Sequence, residues 1–137
     1  MTSLQPPLNN PFQTLRELRT GLLRLHKALL ESERITYEQQ HGRIQSQGEF
    51  FQLVLGDDWF GWLRAFSQFI VQIDEATSAK EPITVDEANK FIEKAQTLLS
   101  VDESGDEREQ RYYQAIQRDP DIAFMHAETL SIVKSKR

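Results

Sequence analysis

The chain contains no cysteine. Disulfide staples, thiolate nucleophiles and cysteine-ligated metals are thereby excluded. It also lacks a long apolar run, since its longest stretches fall far short of the roughly 18 residues that span a bilayer. The opening MTSLQPPLNNPFQ has no basic region followed by an apolar one, so it does not read as a secretory leader. These absences lead to the expectation of a cytoplasmic protein without a membrane partner. An excess of positive charge is missing too. With 16 basic and 21 acidic side chains the formal charge is −5, the wrong sign for a nucleic-acid groove.

Catalytic signatures are equally scarce. Neither of the glycine loops that cradle phosphates is present, nor is a G-x-S-x-G elbow or an H-E-x-x-H zinc helix. Carboxylate-bridged di-iron bundles need Glu-x-x-His on two helices, and the chain does not supply two. No cofactor is expected. Alternation of period two beside hairpin turns is absent, which argues against a sheet. Internal repeats and low-complexity segments are absent as well, and DESGDERE at 102–109 reads as a solvated charged turn.

What remains is helical periodicity in a composition, 39% hydrophobic and 27% charged, that suits one globular domain of 137 residues. Residues 1–9 read as a flexible arm, and 10–137 as a single helical domain. Asn10-Pro11 fits an N-cap followed by proline at the first helical position. From there Leu15, Leu18, Leu22, Leu25 and Leu29 step in threes and fours along a long helix ending near His41, with Gly42 as its stop. His41, at the carbonyl end of that helix, suits a capping role.

Ser46 and Glu49 form a capping-box pattern opening a second region, whose EFFQLVL is apolar all round and is expected to be deeply buried. At 100° per residue Trp59, Trp62, Leu63, Phe66, Phe69, Ile70 and Ile73 share a sector about 120° wide, with Arg64 opposite. Thr84 and Glu87 open a third helix, with Val85, Ala88, Phe91, Ile92, Ala95, Leu98 and Leu99 on its inner face. SGDE at 104–107 offers a further box, before a helix anchored by Tyr112, Tyr113 and Ile116. Asp119-Pro120 restarts a last helix. The expected fold is all-α and four-helix-bundle-like, with a long first helix and breaks or kinks in the second and fourth.

Two sets of residues carry functional expectations. His26, Glu33, Asp74 and His126 are polar groups on faces expected to be buried. Converging imidazoles and a carboxylate could hold a divalent metal or line a small-ligand pocket. The competing reading is a set of core groups satisfied by one another. The second set is Phe60 and Phe124, which lie off the inner faces of their helices and suggest contact with a protein partner or a second copy. The aromatic stretch DDWFGWLRAF is otherwise read as core, with Asp57 and Asp58 favoured by a helix start. The leading expectation is a helical binding protein whose partner is a second copy or another protein, and the alternative is a metal- or ligand-binding enzyme.

The segments YEQQHGRI, GEFFQLVLGDDWFGWLR and FIVQIDE give the chain a resemblance, over residues 15–75, to small all-helical bacterial proteins with no assigned activity. That resemblance implies a helical fold and no mechanism. In architecture the chain is also similar to metal-binding bundles of the DNA-damage-inducible type. Their three-histidine spacing is not reproduced, so no residue role transfers.

Overall fold

A computed structural model describes residues 10–134 of the protein. The expected arm at 1–9 and the terminal 135–137 lie outside the described residues. Among the described residues there are six α-helices: α1 (Pro11–His41), α2 (Gln47–Gly56), α3 (Arg64–Thr77), α4 (Val85–Leu98), α5 (Glu107–Arg118) and α6 (Pro120–Lys134). A 3-10 segment, Asp58–Leu63, joins α2 to α3. No strand occurs among the described residues, and none of their helices is long and apolar enough to cross a membrane. The fold is the expected all-α bundle. Its second region breaks at Asp57 and its fourth at Asp119.

Helix α1 is the hub and packs against α3, α4, α5, α6 and the 3-10 segment. Its seam of Leu15, Leu18, Leu22, Leu25 and Leu29 is fully buried. Each such leucine is worth about 2 kcal/mol of transfer free energy. Both ends of α1 are set locally. The Asn10 side chain accepts from the backbone N–H groups of Phe12 and Gln13. Gly42 adopts φ +89°, a conformation that side chains resist, while its N–H reaches the Glu38 carbonyl.

The other caps follow the same logic. Thr84 and Glu87 form a reciprocal box at α4. At α2 the Ser46 hydroxyl accepts from Glu49 N–H, but the Glu49 carboxylate turns to the N–H of Gln45. At α5 the box is formed by Asp106 and Glu109, two residues beyond the expected Ser104 and Glu107. Ser104 is already committed, its N–H and hydroxyl both donating to Asp102 Oδ1.

Two expectations about burial fail for structural reasons. Helix α2 has no buried residue at all, although EFFQLVL is apolar all round. It lies mainly against the 3-10 segment, touched besides by Arg34 of α1 over Phe50 and by Arg64 of α3 at the Val54 carbonyl, with Phe50, Leu53 and Val54 turned inward and Phe51 and Leu55 outward. Phe60, expected to point outward, is 0% exposed. The error is one of pitch. In a 3-10 helix residues three apart eclipse, so Phe60 shares the inner face with Leu63. Asp57 causes the change of pitch: it leaves α2 in an extended conformation, and its carboxylate caps Trp59 N–H at 2.8 Å. On α4 Val85 is exposed rather than inward, and the remaining expected face is buried or half-buried.

Candidate functional site

The four polar candidates do not assemble. Glu33, on the last turns of α1, is 1% exposed and is gripped from α5. Arg111 donates to its Oε1 at 2.7 Å, and Arg118 donates to its Oε2 at 2.6 Å. Arg118 also donates to Ser32, and Arg111 reaches the Trp59 carbonyl at 2.9 Å with its guanidinium over the indole. The Trp59 indole N–H in turn donates to the Glu33 carbonyl. One carboxylate between two guanidinium groups thus ties α1, α5 and the 3-10 segment together. Both of its oxygens are engaged by guanidinium groups, so it acts as a clamp between helices.

Asp74, on α3, accepts from both Arg19 nitrogens Nε and Nη2 across the α1–α3 contact. His126, on α6, lies 2.7 Å by Nδ1 from the Tyr112 hydroxyl. Burial pushes the Tyr112 phenol up and the His126 imidazole down, Lys134 adding a smaller push at the histidine. The phenol therefore keeps its proton and donates to a neutral ring. Tyr112 is itself fully buried between Trp62 and Phe66. His26, on α1, faces a cleft near α2 with no hydrogen-bond partner among the described residues. Burial lowers its pKa.

Among the described residues no three His, Asp or Glu side chains are placed to hold a metal ion. One Glu-x-x-His spacing does occur, Glu38–His41. Glu38 is occupied by Ile44 N–H and Arg34, while His41 contacts the Tyr37 carbonyl and stacks on its ring. Compared with known proteins, the chain matches no family model, no curated protein and no solved structure.

The surface offers a different candidate. Phe51 and Leu55, one turn apart on α2, are 61% and 58% exposed. Phe124, on α6, is 64% exposed as its position off the helix's inner face suggests. Residues 44–56, IQSQGEFFQLVLG, carry a single charge, Glu49, and that carboxylate is folded back onto Gln45. A helix this apolar, lying on the outside, is the feature least explained by folding alone. Its period could not reveal it, because a helix apolar on every side reads as core until its neighbours are known. The partners of Glu33 were hidden for another reason: they sit 78 and 85 residues away in sequence.

Proposed function

We propose that the protein is a non-enzymatic binding protein that pairs with a second copy of itself through the outer face of α2. The observation that carries this reading is the absence of any buried residue on α2 together with the exposure of Phe51 and Leu55. Charge selects the occupant. Each copy carries −5, so most approaches of two copies are opposed, and the uncharged α2 face is where they can meet. In a two-fold arrangement the same patch meets itself, which a short apolar helix does readily. Phe60 is withdrawn from the expected surface by its burial, and Phe124 remains exposed on another helix.

Sedimentation equilibrium from about 1 μM to about 1 mM tests this. The wild-type mass is expected to rise from 15.9 kDa towards twice that value. The double variant Phe51→Glu/Leu55→Glu is expected to stay monomeric, and Phe124→Ser to weaken association less. A wild-type protein that remains monomeric across the range rejects the reading.

A further inference from the structure

We propose that the cleft bounded by α1, α2, the 3-10 segment and α3 binds a small carboxylate with an apolar tail, its head paired with Arg64. The cleft measures about 320 Å³, and its walls include His26, Val54, Leu55, Phe60, Leu63 and Arg64. No acidic residue lines it, in a chain with 21 of them. Arg34, Arg111 and Arg118 each pair with a carboxylate. Arg64 pairs with none among the described residues. Its Nη2 donates to the carbonyls of Val54 and Asp57 at 3.4 and 3.3 Å, beyond the usual range for such bonds. Its Nε is buried with no protein acceptor.

A half-buried guanidinium left this way is costly, and its fork matches a carboxylate better than it matches two carbonyls. His26 lines the same cleft with an imidazole that has no partner among the described residues, and its neutral form offers one N–H to a carboxylate oxygen. The apolar part of the lining is Val54, Leu55, Phe60 and Leu63, which suits an alkyl chain rather than a second charged group. The volume is near the lower end for ligand sites, about 300 Å³, and calls for a short tail. The cleft shares Leu55 with the α2 face proposed to pair, while Arg64 and His26 belong to other elements.

The test is a titration of the full chain with sodium hexanoate, followed by NMR of the His26 ring, with acetate and 1-hexanol as controls. Hexanoate is expected to saturate, to move the His26 resonances and to raise that histidine's titration midpoint, because a bound anion favours imidazolium. Acetate and hexanol are each expected to bind at least tenfold more weakly. Arg64→Met is expected to weaken hexanoate at least tenfold. Because Arg64 also holds the end of α2, Gln68→Glu serves as its companion. Gln68 is exposed, lies four residues on along α3 and lines the same cleft, so a glutamate there competes for the guanidinium. This variant is expected to melt like wild type and to bind hexanoate at least tenfold more weakly. The proposal is overturned by a wild-type protein that does not saturate below about 10 mM, by hexanol binding as tightly as hexanoate, or by unchanged affinity in Gln68→Glu.

Discussion

Removing the Glu33 carboxylate strands two guanidinium groups. Glu33→Ala is expected to cost about 3 kcal/mol in chemical denaturation, the low end for breaking a buried pair, because Arg111 and Arg118 keep partial contact with water. Glu33→Gln, which retains a carbonyl acceptor, is expected to cost less. Histidine gives a second prediction at this scale. Burial holds both His26 and His126 below the ordinary 6.5, so the unfolded chain takes up protons that the folded one refuses. Their neutral burial is fully compatible with folding above about pH 6.5, and stability is lost as pH falls below that unfolded value. The melting temperature is expected to drop between about pH 7.5 and about pH 5.5, and to drop less in His126→Gln. An equal drop in the variant would assign the pH dependence elsewhere. The sequence marks Glu33 and His126 as polar groups on inner faces, which they are. It does not reveal that one answers to two arginines and the other to a tyrosine, since such partners are chosen by tertiary packing.

Helix ends were legible and helix faces less so. The caps Asn10, Gly42, Ser46 and Thr84 act through bonds only a few residues long, so a local pattern suffices to find them. The box at α5 was displaced because two overlapping acidic and hydroxyl patterns competed and Asp102 had taken Ser104. Phe60 was misplaced because a 3-10 turn rotates about 120° per residue rather than 100°. Close approach between elements yields a further test. At Gly21 of α1 an added Cβ would lie 2.9 Å from Thr129 Oγ1 and 3.3 Å from its Cγ2 on α6. Thr129 is branched and its hydroxyl is bonded to the Met125 carbonyl, so it yields poorly. Gly21→Ala gains about 1 kcal/mol of helix propensity and still is expected to destabilise the fold, by about 1 kcal/mol net, from overpacking. Adding Thr129→Ala is expected to reverse the sign of the Gly21→Ala effect, as read in a double-mutant cycle of melting curves.

For the molecule as a whole, the leucine seam of α1 determines the architecture. Helices α3, α4 and α6 cover that seam, while α2 is left outside with an apolar face and almost no charge. The all-α class was legible because the apolar period is a property of each helix by itself. The position of α2 was not, because being covered or left bare depends on how many neighbours reach it. The account centres on that bare face meeting its own copy. Hydrogen–deuterium exchange of the α2 backbone amides at two protein concentrations tests it most directly, since it reports where contact occurs. The account predicts that exchange over 47–56 slows as concentration rises, while exchange over α4 is unchanged. Exchange in α2 that is independent of concentration, or slowing confined to another helix, would contradict it.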